Sequence, residues 1–360
     1  MSLSIGIVGL PNVGKSTLFN ALTDANALIA NYPFATIEPN TGIVPIPDPR
    51  LQKLAEIYKT KKIIPAAVTF VDIAGLVAGA SQGEGLGNQF LSHIRSTSAV
   101  CHVVRAFEDP NVQHVDQQHS PQKDIDVINT ELVLADLQTV NNRLPKLQKE
   151  TKADSKLKPQ LDLLEKVKKT LDEGQPLFAS SELSAESYQL GQLQLLTAKP
   201  IIYAFNVDEK TLVDEIKKKE LTGLVLPAKA IFICAKLENE LRGLDEADAK
   251  ELLDSYGQEE SGLLQLIHAA YDTLGLQSFL TAGEKEVRAW TIKQGDSAPQ
   301  AAGVIHTDFE RGFIAAQVVN YDDLISAGSL LAARTAGKVR TEGKDYIMQP
   351  DDVVEFRFNV

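Results

Sequence analysis

Residues 9–17, GLPNVGKST, combine two glycines, a lysine and two hydroxyls in the spacing G-x-x-x-x-G-K-[ST]. Gly9 and Gly14 permit a curled backbone whose amides surround a phosphate, Lys15 reaches the terminal phosphates, and Ser16 offers an oxygen to Mg2+. The loop follows the apolar run SIGIV and opens STLFNALT, the strand-loop-helix setting a phosphate cradle requires. Asn12, Val13, Gly14, Lys15, Ser16 and Thr17 are the candidate contacts. FVDIAGL, residues 70–76, ends an apolar run in Asp72 with Gly75 three residues on. A phosphate-loop enzyme needs a carboxylate there to hold the water shell of its metal, and a glycine amide free to approach the γ-phosphate. Between the two lies NYPFATIEPNTG, residues 31–42, a proline-punctuated loop in which Thr36 can place its hydroxyl on Mg2+.

A third stretch, IIYAFNVDEKT at residues 201–211, reads as a buried strand running into a polar turn. Many nucleotide switches carry Asn-Lys-x-Asp at such a turn, with the aspartate accepting from two guanine donors. Here the four residues are Asn206, Val207, Asp208 and Glu209. Adenine lacks both donors and offers a ring nitrogen acceptor instead, which a carboxylate repels. Glu209 is one methylene longer than the aspartate, so the fork that rewards guanine is misaligned. An unmet polar contact in a buried pocket costs about 1–3 kcal/mol, enough to erase a strong guanine preference. Asn206 and the backbone near Val207 can accept from the adenine amino group. Cys234 and Ala235, followed by Lys236, stand where a Ser-Ala-Lys loop closes over the base in such proteins. The position after Gly75 is Leu76, where many GTPases carry a glutamine that orients the attacking water. Leucine cannot do so, and a low intrinsic rate is expected.

These residues need a scaffold. SIGIVGL, AVTFVDIAGL, AVCHVVRAF, KPIIYAFNV and AIFICAK are short apolar runs ending in loops, with helix-period segments between them. That alternation predicts a mainly parallel α/β sheet with ligand at the carboxyl ends of its strands. From about Asp126 to Lys199 the rhythm stops, and leucines spaced by three and four predict two long amphipathic helices and a shorter third, an antiparallel helical insertion. Pro145 is expected to kink or end the first. Beyond about Gln277 the texture reads as strand, turn, helix and strand, closing with GKDYIMQPDDVVEFRFNV as two further strands around a Pro-Asp-Asp turn.

The chain has 360 residues, 44% of them hydrophobic and 23% charged, ample for a large core in two or three domains. No run is long and apolar enough for a membrane span, and MSLSIGIVGL is not expected to act as a signal peptide. Cys101 and Cys234 sit in strand-like runs as expected free thiols, which fits a reducing cytoplasm. A net charge of -12 argues against general electrostatic binding of nucleic acid and leaves only local contacts. Lys146, Lys149, Lys152, Lys156 and Lys158 gather near the expected tip of the helical insertion, with Lys166, Lys168 and Lys169 on its second helix. Such a run is either a solvated face or a basic tip for RNA.

PFATIEPNTG, DIAGLVAGASQGEGLGNQFLSHIR and the phosphate loop together resemble the Obg group of P-loop NTPases, and NVDE with the helical insertion narrows the resemblance to the YchF or Obg-like ATPase family. It covers essentially the whole chain, with EGLGNQFLSHIR and VIHTDFERGFI as specific stretches. The resemblance implies a P-loop NTPase domain over 1–125 and 200–278, a helical coiled-coil domain over 126–199, and a C-terminal TGS module of the β-grasp type over 279–360. It implies ATP as the preferred nucleotide, Mg2+ as cofactor, a monomer, and association with ribosomes, through the large subunit or the 70S particle, and with RNA. It also implies roles for Asn12, which in related switches helps hold K+, and for His114, in FEDPNVQHVD, as a catalytic group beside Lys15. His93, in LSHIR, is the weaker candidate. Two classes of function follow: an ATPase whose turnover does the work, or a switch whose ATP-bound shape binds a partner while hydrolysis resets it. An Obg-type GTPase is the alternative on substrate.

Overall fold

The computed structural model describes residues 3–24, 40–74, 86–107, 120–184 and 193–359. Contacts divide the chain into two compact units, one drawn from its first part up to Leu274 and the other from residues 43–68 together with Gly275–Val360.

The first unit is built on a sheet in the order β2 (Thr41–Pro45), β4 (Ala67–Asp72), β1 (Ser4–Val8), β5 (Ala99–Ala106), β6 (Ile201–Val207), β7 (Lys229–Ile233). From β4 to β7 every pairing is parallel. The five apolar runs of the sequence are these parallel strands, and both faces of β1 and β5 are buried, as continuous rather than alternating apolar runs require. β2 was not foreseen, since its first two residues lay in the expected loop over 31–42. The order places β1, β5 and β6 side by side and parallel, so their carboxyl ends at Val8, Ala106 and Val207 lie at one edge of the sheet.

A helix of 33 residues, Pro121–Ala153, begins with Ser120 as its cap and Pro121 in the first turn, where a missing N–H costs nothing. It does not end at Pro145. Val140 and Leu147 on either side of the proline are buried in a cluster with Leu161, Leu164 and Val167. That packing offsets the roughly 3 kcal/mol an internal proline costs. The chain turns at Asp154 and returns as Lys158–Asp172, forming the expected hairpin. Of the expected third helix, Ser181–Ser184 is helical, residues 185–192 lie outside the described set, and 193–199 are turns. At the base of the hairpin Asp136, fully buried, accepts from the amides of Leu196 and Thr197, both at 2.8 Å, and from the Thr197 hydroxyl at 2.7 Å.

The second unit carries a sheet in the order β11 (Arg340–Glu342), β10 (Phe313–Asn320), β12 (Asp352–Phe358), β8 (Leu276–Ala282), β9 (Val287–Lys293), β3 (Ile63–Ile64). Its C-terminal strands have the first and last, β8 and β12, parallel at the centre and antiparallel partners outside, which is the β-grasp order. Phe279, Ile292, Phe313, Val318 and Val354 pack with Ala298, Ala301 and Ala302 of the helix Ala298–Ile305. Only one strand follows the Pro-Asp-Asp turn; the segment before it is not a second one. The Tyr346 hydroxyl donates to Asp352 at 2.9 Å and the Gln349 amide to the same carboxylate at 2.8 Å, holding the segment folded against the strand start. Residues 43–68 join this unit, whereas sequence texture groups them with the nucleotide domain. Asp48 caps the helix Pro49–Tyr58, which buries Leu51, Leu54 and Ala55, and β3 extends the sheet beside β9.

Candidate functional site

Between the end of β1 and the helix Lys15–Asp24 the backbone is left-handed at Asn12 (φ 63°) and Gly14 (φ 94°). At Gly14 a side chain is excluded twice over, by the conformation and because a Cβ would stand 2.4 Å from Nδ2 of Asn206. A Cβ at Gly9 would meet the Val103 carbonyl of β5 at 2.8 Å. The first helical bond runs from the Leu18 amide to the Gly14 carbonyl, 2.9 Å, so the amides before it have no partner within the helix, the arrangement that suits an anion. Ser16 and Thr17 are exposed there. Lys15 Nζ donates to Oδ1 of Asp72 at the end of β4, 3.1 Å away, with the two side chains 11% and 19% exposed. The phosphate-loop lysine and the strand-end carboxylate, read from separate motifs, thus form one charged pair.

The strand β6 supplies the other side. Asn206 donates from Nδ2 to the Val13 carbonyl, 3.1 Å, and ties this turn to the phosphate loop. Asp208 does not face a base: it caps the helix Glu209–Val213, accepting from the Thr211 amide at 2.8 Å. Glu209 begins that helix, and its Oε1 accepts from Lys236 Nζ at 2.7 Å and from the Tyr256 hydroxyl at 3.2 Å. The Lys236 ammonium holds the Glu209 carboxyl below the ordinary range and is itself raised by it. Cys234 caps the helix Ala235–Leu241 and is buried, which pushes its thiol up.

A cavity of about 210 Å³ joins the two sides, lined among others by Gly14, Thr17, Asn206, Ala235, Glu238 and Arg242. Of the sequence candidates it brings together Gly14, Thr17, Asn206 and Ala235; Val207, Glu209 and Cys234 do not line it. Glu238, Asn239 and Arg242 were missed. Their signal was available, because 235, 238, 239 and 242 fall at the i, i+3, i+4 and i+7 positions of one helix face. Glu238 is buried, which pushes its carboxyl up, and its Oε1 accepts from the Leu263 amide at 3.3 Å.

Thr36, Gly75, Leu76 and His114 lie outside the described residues. His93 is exposed on the helix Leu86–Ser96. Among the described residues no three His, Cys, Asp or Glu side chains gather as a metal cage. In the helical hairpin Lys146, Lys149, Lys152, Lys156 and Lys169 are exposed, while Lys158, Lys166 and Lys168 pair with Asp162, Glu182 and Asp172. No helix among the described residues is long and apolar enough to cross a membrane.

Two family models match the chain. One, for the C-terminal part of YchF GTPases and described as a protein of unknown function, covers residues 276–359. The other, described as a 50S ribosome-binding GTPase, covers residues 4–142. The chain is 51% identical over 367 residues to the ribosome-binding ATPase YchF of Bacillus subtilis, and 51% identical over 370 residues to the protein of that name in Pasteurella multocida, with 100% of each chain covered in both cases. Its fold matches the structure of the Schizosaccharomyces pombe YchF GTPase with a TM-score of 0.86 at 39% identity, covering 99% of this chain and 98% of that one. These names divide between ATPase and GTPase.

Proposed function

This chain belongs to the YchF family, and from that membership we propose that it is a cytoplasmic, ribosome-binding P-loop ATPase that hydrolyses ATP to ADP and phosphate. The base is the part of this reading that the relatives' names leave divided. The observation that carries the choice of ATP is the state of the turn after β6. The only carboxylates of NVDE are committed elsewhere, Asp208 to a helix cap and Glu209 to Lys236 and Tyr256. No acid of this turn is left facing the cavity to receive the N1 and 2-amino donors of guanine. Asn206, whose amide nitrogen is spent on Val13, keeps its carbonyl oxygen as an acceptor for the 6-amino group of adenine.

The residues present fit Mg2+, a hard cation that takes hydroxyl, carboxylate, phosphate and water oxygens. Ser16 would ligate it directly and Asp72 through its water shell, with Thr36 as the further ligand read from sequence. Bound there, the ion neutralises charge on the β- and γ-phosphates. Lys15, freed from Asp72, would bind the terminal phosphates, and the amides at the helix start would surround them. Asn12 and His114 remain the proposed K+ site and catalytic group. We assign nucleotide binding to residues 1–125, apart from the segment 43–68 that packs in the second unit, and to 200–274, a helical arm to 126–199, and a TGS module to the C-terminal part from 275 on. The basic arm tip is the proposed contact to ribosomal RNA, on the large subunit or the 70S particle, made by a monomer.

Competitive titration of ATP against GTP with Mg2+ tests the central claim. Tighter ATP binding supports it; a clear GTP preference defeats it in favour of an Obg-type GTPase. A variant that binds ATP without hydrolysing it separates a switch, which would stay on ribosomes, from an enzyme whose turnover is the output.

A further inference from the structure

Lys236, the last residue of the Cys-Ala-Lys stretch, and Tyr256, which belongs to no nucleotide motif, converge on one oxygen. Glu209 stands three residues after Asn206, where a carboxylate turned into the cavity would accept from the guanine edge. Its Oε1 is instead held by Lys236 Nζ at 2.7 Å and by the Tyr256 hydroxyl at 3.2 Å. The two donors come from different elements. Lys236 lies in the first turn of the helix Ala235–Leu241, and Tyr256 is the C-terminal cap of the helix Glu246–Ser255. The carboxylate is therefore fixed from two directions, and the cavity that Asn206 and Ala235 line does not include it.

We propose that Lys236 and Tyr256 are positioning residues for base choice: they hold Glu209 away from the purine edge and so withhold from guanine the acceptor its two donors need. The inference rests on the ATP reading above and explains how a chain that retains an acid at this place can still favour adenine. Length alone does not exclude Glu209 from the pocket, because a glutamate has an extra torsion with which to swing in; the two donors remove that freedom. Lys236 holds that carboxylate through a charge-assisted hydrogen bond, stronger than one between neutral groups. The pair is partly solvated, Lys236 being 64% and Glu209 35% exposed, so each partner alone makes a modest contribution.

The test uses the full chain titrated calorimetrically with MgATP and with MgGTP, as wild type and as Tyr256→Phe, Lys236→Met and Lys236→Arg, each with and without Glu209→Ala. Tyr256→Phe and Lys236→Met are each expected to tighten GTP binding and to narrow the ATP-to-GTP preference about fivefold, the worth of one hydrogen bond. Lys236→Arg, which keeps the ion pair, should retain the wild-type ratio. Adding Glu209→Ala should erase the gain, because the gain acts through that carboxylate. Unchanged ratios in both Tyr256→Phe and Lys236→Met overturn the proposal, as does a gain that survives Glu209→Ala. Lys236 is a surface residue, so its variants fold even if Tyr256→Phe does not. A wild-type preference for GTP is read from a separate row: it defeats the ATP reading itself and this role with it.

Discussion

The side-chain amide of Asn206, near the end of β6, donates to the main-chain carbonyl of Val13, inside the phosphate loop, at 3.1 Å. The two halves of the candidate nucleotide site are thus one hydrogen-bonded unit, although 193 residues separate them in the chain.

Asn206→Ala is expected to weaken ATP by about tenfold and GTP by less, since the link that sets the phosphate loop is lost for both and the acceptor for the 6-amino group is lost for adenine alone. Gly14→Ala should be more severe. Its methyl would stand 2.4 Å from Nδ2 of Asn206, at a φ of 94° that an alanine rarely adopts. Fluorescent-nucleotide titration reads both, and a Gly14→Ala protein with unaltered affinity would contradict the geometry.

Lys15→Ala should lower the rate of phosphate release from ATP by about 100-fold or more, the usual effect of removing one group that stabilises transition-state charge. Its stability should fall by about 1–3 kcal/mol, because the largely buried Asp72 carboxylate loses its donor. Single-turnover assays and thermal melts give the two numbers.

His102 predicts acid sensitivity. It is fully buried in β5 against Tyr203, with ring centroids 5.1 Å apart, and neither of its nitrogens has a hydrogen-bond partner among the described residues. Burial pushes its pKa down to about 3 from an ordinary 6.5. Below about pH 6.5 the unfolded chain takes up a proton that the folded one refuses, so stability falls as pH drops toward 3, by about 1.4 kcal/mol per pH unit. His102→Leu should flatten that part of the profile. Urea denaturation between neutral pH and pH 4.5 checks it; parallel curves for the two proteins would rule the histidine out.

Asp136→Ala should cost about 3 kcal/mol, because the amides of Leu196 and Thr197 and the Thr197 hydroxyl would all lose their acceptor inside the protein. Asp136→Asn keeps one acceptor oxygen and should lose less. Hydrogen exchange is expected to speed up first at Leu196 and Thr197, and exchange unchanged there would show that the carboxylate does not anchor the hairpin base.

Most of the scaffold was legible because its signals are local. The five parallel strands are continuous apolar runs, the phosphate loop is a fixed spacing of glycine, lysine and serine, and the leucines of Pro121–Ala153 and Lys158–Asp172 repeat with the helical period. Of the two outcomes open to Pro145, a kink or an end, the helix does not end there, and Val140 and Leu147 on either side are buried with Leu161, Leu164 and Val167. Where a local rule failed, a distant contact had overruled it. The segment before Pro350 is no strand because Asp352 folds it back. Residues 43–68 carry no mark that says which core they enter.

The sequence by itself determined the phosphate-loop spacing and which lysine, glycine and serine it presents, because such a loop is made by one short run of backbone. It also determined the odd acid at position 209. Only the tertiary structure decided what that acid does, since its two donors lie 27 and 47 residues downstream and no local rule ties Lys236 or Tyr256 to Glu209. The same holds for the pairing of Lys15 with Asp72. Hydrogen bonds act over about 3 Å of space whatever the distance along the chain, and which groups come within that reach is fixed by strand order and packing.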